Sequence, residues 1–135
     1  MAIGWVARAL MGSAVELPSA LLAAYPELAE ARWRVGGLPL RVGGWFLLQR
    51  TVAGITLGRT IWLARESSDD PGLLLHELCH VRQFGRHRTF PFLYAWESMR
   101  RGYAHNRFEA EAEAFARRLL AERRSAPTRS TSEGS

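Results

Sequence analysis

The stretch GLLLHELCHVRQFG, residues 72–85, decides how this chain is read. It holds His76 and His80 four positions apart, with Glu77 directly after the first histidine. Just ahead, ESSDDPG (66–72) supplies Asp70 as an N-cap, Pro71 as a first helical residue and Asp69 as negative charge near the helix start. This pattern predicts a helix over 71–84 that stops at Gly85, a common C-terminal cap. Leu73, Leu74, Leu75, Leu78, Cys79, Val81 and Phe84 make the helix apolar around most of its girth, so it belongs in the interior. Two histidines and a glutamate carried inside must be satisfied, because an unpaired buried polar group costs about 1–3 kcal/mol. Histidines four apart project from one helix face and can reach a single ion. Glu77, turned about 100° from His76, is too far round to share that ion but suits a general base acting on an attacking water. A shuffle of this composition produces H-E-x-x-H in roughly 1 case in 100, so chance is a weak explanation.

Outward from that helix the chain divides by pattern. Residues 1–31 read as a helical segment, with Pro18 and Pro26 each suited to the first turn of a short helix. Residues 32–66 read as strands. RWRVGGLPLRVGG (32–44) alternates apolar residues with arginine and carries paired glycines for a reversal, while WFLLQR (45–50) is an apolar run without a period. TVAGITLGRTIWLAR (51–65) is the clearest strand signal, with Gly58-Arg59 as its turn. Residues 91–124 read as further helices, the later one with its acids early and its arginines late, in keeping with the helix dipole. The polar residues 125–135 read as a disordered tail. The expectation is one α+β domain over 1–124.

Composition narrows the partners. A chain of 135 residues suits one core, and its single cysteine, Cys79, excludes an internal disulfide and reads as a packed small hydrophobe. All 18 basic residues are arginine and the net charge is +5, so nucleic acid must be considered. No nucleic-acid module is recognisable, and a solvated arginine-rich surface is the favoured reading. MAIGWVARALMG (1–12) lacks the features of a signal peptide, and no apolar run nears the ~20 residues of a membrane helix. The expected location is cytoplasmic, and the oligomeric state is left open.

A catalytic zinc needs a third protein ligand and an open position. Extending the motif to H-E-x-x-H-x-x-G-x-x-H would need glycine and histidine where Gln83 and Arg86 stand. His87 and His105 lie at no recognised spacing. HNRFEAEAEAFA (105–116) offers more: Glu109 and Glu113 share a helix face, so one can bind metal while the other supports a histidine. Glu111 points elsewhere and reads as solvated.

HELCH (76–80) followed by EAEAE (109–113) resembles the gluzincin zinc metallopeptidases, and the chain length is similar to that of their minimal single-domain members. The resemblance covers roughly residues 50–120. It implies a zincin-like fold, in which a small antiparallel or mixed sheet packs on a buried HExxH helix and a second, glutamate-bearing helix. It implies one zinc ion per chain, held by His76, His80 and Glu109, with Glu77 as catalytic base. Glu113 falls where the family has an aspartate that orients the first histidine, and Phe108 where it has an asparagine; the nearest asparagine is Asn106. RTIWLA (59–64), with Thr60, Ile61 and Trp62, becomes the candidate edge strand along which a polypeptide substrate would lie. Tyr103, His105 or Tyr94 would donate to the oxyanion. Two alternatives share the chemistry or the metal. One is a protease acting on DNA-bound proteins through Arg82, Arg86, Arg88, Arg100, Arg101 and Arg107; the other is a catalytically latent zinc scaffold.

Overall fold

The computed structural model describes residues 2–37, 39 and 54–126. Its elements are α1 (Ala2–Met11), β1 (Ser13–Ala14), α2 (Ser19–Ala24), β2 (Arg32–Val35), β3 (Gly54–Leu57), β4 (Thr60–Leu63), α3 (Pro71–Arg86), α4 (Phe90–Arg101) and α5 (Arg107–Ser125). Short 3-10 turns sit at Pro26–Glu30, Arg65–Ser67 and Tyr103–His105. This is an α+β arrangement of helices around a small mixed sheet, ordered β1-β2-β4-β3. Among the described residues no helix is long and apolar enough to cross a membrane.

β3 and β4 form the expected antiparallel hairpin, paired from Gly54↔Leu63 to Leu57↔Thr60. Gly58 opens its two-residue turn at φ +62°, a conformation that side chains with a Cβ disfavour. The edge position expected for RTIWLA is overturned. β2 pairs in parallel along the other side of β4, from Arg32↔Thr60 to Val35↔Leu63, so β4 has a neighbour on each side. Ile61 and Leu63 are fully buried and Trp62 nearly so, as an interior strand of apolar residues should be. Ile61 and Trp62 are therefore core, and Thr60 is half-buried at the start of the strand. Among the described residues the sheet edges are β1 and β3. The second arm of the glycine-paired reversal and WFLLQR lie outside the described residues, as does nearly all of the tail.

One face of the sheet, carrying Trp33, Ile61 and Leu63, packs with Leu74, Leu75, Leu78 and Val81 of α3 to form the core. The Trp33 indole donates to the Leu28 carbonyl at 2.8 Å, so its polar atom is satisfied inside that core. On the opposite face Trp62 donates to the Met11 carbonyl at 2.9 Å and Arg34 to that of Gly12 at 2.8 Å, tying down the end of α1.

α3 begins as its sequence dictates: the Asp70 carboxylate accepts from the Gly72 amide at 3.0 Å, with Pro71 as first residue. It ends two residues later than expected. Gly85 lies inside the helix, and His87 caps it by donating its amide to the Gln83 carbonyl at 3.0 Å. α5 packs along α3. Its own N-cap, Asn106, is fully buried and does three jobs. Its Oδ1 accepts from the Phe108 amide at 2.9 Å, and its Nδ2 donates to the Tyr94 carbonyl at 3.2 Å and to the Ser98 hydroxyl at 2.8 Å. That bracket sets α4 in register with the first turn of α5.

Candidate metal centre

The register of α3, α4 and α5 brings four side chains to one point. His76 and His80, one turn apart on α3, both turn Nε2 to the Glu109 carboxylate on α5, at 2.9 and 3.1 Å. Tyr94 of α4 donates its hydroxyl to the same carboxylate at 2.7 Å. The donor atoms of His76, His80 and Glu109 lie within 4.8 Å of one another. Zinc bonded at about 2.0–2.1 Å in a tetrahedron holds its donors about 3.3 Å apart, so the two imidazole–carboxylate distances already suit a shared ion. Two neutral imidazoles and one carboxylate are also the donor set of catalytic zinc sites.

Electrostatics couple the three. Burial works against a charge on Glu109, yet bonds from His76, His80 and Tyr94 hold its carboxyl far below the ordinary carboxylate range. Burial likewise opposes charge on His80, but Glu109 and Glu77 outweigh it and raise that imidazole's pKa. The Gln83 amide nitrogen donates to the Phe108 carbonyl at 3.0 Å and to Glu111 at 3.1 Å, and Glu111 is paired in turn with Arg86. With the nitrogen so placed, the amide oxygen is the atom facing His80 Nδ1 at 2.7 Å, and Nδ1 must be the donor. Nε2 is then the nitrogen available for coordination.

Glu77 is buried at 5% exposure beneath β3. The Thr56 hydroxyl donates to its Oε2 at 2.7 Å, and burial pushes its pKa up against the opposing pull of His80 and Thr56. Gly54 lies directly over the carboxyl group; a Cβ there would sit 3.1 Å from Glu77 Cδ, Cγ and Oε1. Glu77 is too enclosed to swing aside. Gly54→Ala should therefore cost about 1–3 kcal/mol, the usual penalty for overpacking, read as a lower urea midpoint. The penalty should largely vanish in a Glu77→Ala background, and equal losses in both backgrounds would contradict the contact.

Not every expected site residue arrives. Glu113 is exposed and pairs with Arg117 at 3.5 Å, four residues on, rather than reaching a histidine. Glu111 is exposed, as expected, and in addition accepts from Gln83 in the chain behind His80. His105 lies exposed in its 3-10 turn, and the side chain of Tyr103 is outside the described set. Burial raises the Cys79 thiol to about 11, in keeping with a packed hydrophobe. The sequence reading missed Gln83, Thr56, Gly54 and the bracket made by Asn106. Of these, only Asn106 left a signal: an asparagine immediately before a helical run is an N-cap.

Comparison with protein-family models, with characterised proteins and with solved structures finds no match for this chain.

Proposed function

We propose that this chain is a zinc-dependent peptidase of the gluzincin kind, with a zincin-like fold. The observation that carries the reading is the convergence of His76 and His80, which flank Glu77 on α3, with Glu109 of α5. Zinc supplies Lewis acidity at such a site and brings the pKa of water toward neutrality. The residues of the chain do the rest. His76, His80 and Glu109 would hold the ion, and the Gln83–Glu111 chain keeps the His80 Nε2 turned toward Glu109. Glu77 takes the proton of the attacking water and passes it to the leaving amine. Thr56 occupies its Oε2, so Oε1 is the atom with capacity for that proton. Tyr94, whose hydroxyl lies at the cluster on Glu109, is a better placed donor to a developing oxyanion than the exposed His105. The substrate strand is reassigned from β4 to β3, an edge among the described residues that covers Glu77.

The DNA-directed alternative is less well supported. Arg82 pairs with Glu30, Arg86 with Glu111, and Arg101 and Arg107 with Glu97, so four of its six arginines already have carboxylate partners.

The test is metal content with hydrolysis of an unstructured protein. One zinc per chain is expected, with activity lost on chelation and restored by zinc. Zinc has to displace the proton that Glu109 and Glu77 favour on His80, so affinity should fall with falling pH, starting above the ordinary histidine value of 6.5. A folded chain that takes up no zinc would end the proposal. Zinc uptake without hydrolysis would favour the latent scaffold.

A further inference from the structure

α4 has two faces of opposite character. Its inner face carries Tyr94 to the metal cluster and buries Phe90 and Glu97. Its outer face carries Phe92, Trp96 and Met99, one stripe at i, i+4 and i+7, exposed at 78%, 60% and 82%. Three large apolar side chains standing that far into water on one helix are a contiguous patch rather than scattered exceptions. The solvent-facing charge on this helix and its lead-in has one sign. Arg88 precedes the helix and Arg100 lies near its end, both exposed, and neither has an ion pair among the described residues. The only acid of α4, Glu97, is buried and lies 3.7 Å from both Arg101 and Arg107. No acidic side chain on this helix faces solvent.

From this juxtaposition we propose that the outer face of α4 docks on an anionic lipid bilayer. A helix lying flat puts Phe92, Trp96 and Met99 at one depth, below the head groups. Trp favours that boundary, and arginine stems let the guanidinium groups reach back to phosphate. What selects the bilayer is charge: the exposed Arg88 and Arg100 at the two ends of the apolar stripe, with no solvent-facing acid on the helix, match an anionic surface. α1 provides an internal comparison. It too exposes Ile3, Trp5, Leu10 and Met11, but has only Arg8 as a charge. Docked through α4, the metal cluster stands about one helix diameter, ~10 Å, from the membrane surface, within reach of surface-bound polypeptide.

The experiment is co-sedimentation of the full chain with vesicles of phosphatidylcholine alone and of an equimolar mixture with phosphatidylglycerol, with and without zinc. Binding should require the anionic lipid, weaken with salt and be independent of zinc, which separates this inference from the peptidase reading. Phe92→Ser, Trp96→Ser and Met99→Ser together should lower apparent affinity at least ~10-fold, since each buried side chain contributes substantially. Arg88→Ser with Arg100→Ser should lower it roughly fivefold per arginine. All five positions are exposed, so urea midpoints close to wild type are expected and serve as the folding check. The proposal is overturned if the triple variant binds vesicles as wild type does. It is equally overturned if Ile3→Ser with Trp5→Ser abolishes binding while the α4 variants do not. Polyglutamate that competes with anionic vesicles at equal charge would overturn it in favour of an acidic polypeptide partner.

Discussion

Glu109→Ala should abolish stoichiometric zinc binding and, with it, any hydrolysis. In the proposed site the residue would supply the anionic ligand, and it is the point at which α3, α4 and α5 meet, receiving His76, His80 and the Tyr94 hydroxyl. Its removal leaves two neutral imidazoles, too weak a pair to hold the ion firmly. Two further variants grade the effect. Gln83→Ala and Glu111→Ala act only behind His80, so each should weaken zinc by about 10–100-fold, the usual cost of losing an outer partner of a metal ligand. The expected order is a large loss at Glu109, moderate losses at Gln83 and Glu111, and none at Glu113, which faces solvent beside Arg117. Competition with a chromophoric chelator measures all four. A Glu109→Ala protein that keeps one tightly held zinc per chain would place the third ligand elsewhere. Glu113→Ala weakening zinc as much as Gln83→Ala would restore Glu113 to the role that its spacing implied.

That order separates what the sequence made legible from what it did not. His76, His80 and Glu77 were legible because a helix fixes the angle between residues four apart, whatever surrounds it. Glu109 was legible for the same reason, once a second helix with a glutamate pair was recognised. The support behind the histidines was not. Glu113 shares a helix face with Glu109, but which of them meets α3 depends on how α5 rolls against it, and no local pattern encodes that roll. The chain answered with Gln83, one turn beyond His80 on its own helix, and Glu111 across the interface. β4 failed in the same way. Its composition marked it as a strand correctly, yet an apolar strand reads alike at an edge or in the middle, and only the parallel pairing with β2 decides. Gly85 misled for a different reason. Glycine permits a helix to end without forcing it to, and here the Gln83 carbonyl still finds the His87 amide.

Glu77→Gln should lower hydrolysis by about 10²–10⁴-fold while leaving zinc stoichiometry at wild type, because the amide keeps the shape of the side chain but cannot accept the proton. Metal-free stability distinguishes this from damage to the fold. Burial raises the Glu77 pKa above its ordinary 4.5, so ionisation is harder in the folded chain than in the unfolded one. Below 4.5 both states carry the proton, and wild type and variant should be about equally stable. As pH rises toward the folded value the unfolded chain ionises first, and wild type loses stability that glutamine does not. Above the folded value the gap is constant. The variant should therefore melt higher than wild type at neutral pH and alike in acid, with the Thr56 hydroxyl still finding an acceptor in the amide oxygen. Thermal melts of the metal-free proteins across that range measure it. A variant that loses activity and also melts lower at neutral pH would make Glu77 a structural residue, and the general-base role would lose its support. One that melts higher, keeps its zinc and hydrolyses nothing would describe a group whose charge the fold resists and the reaction requires.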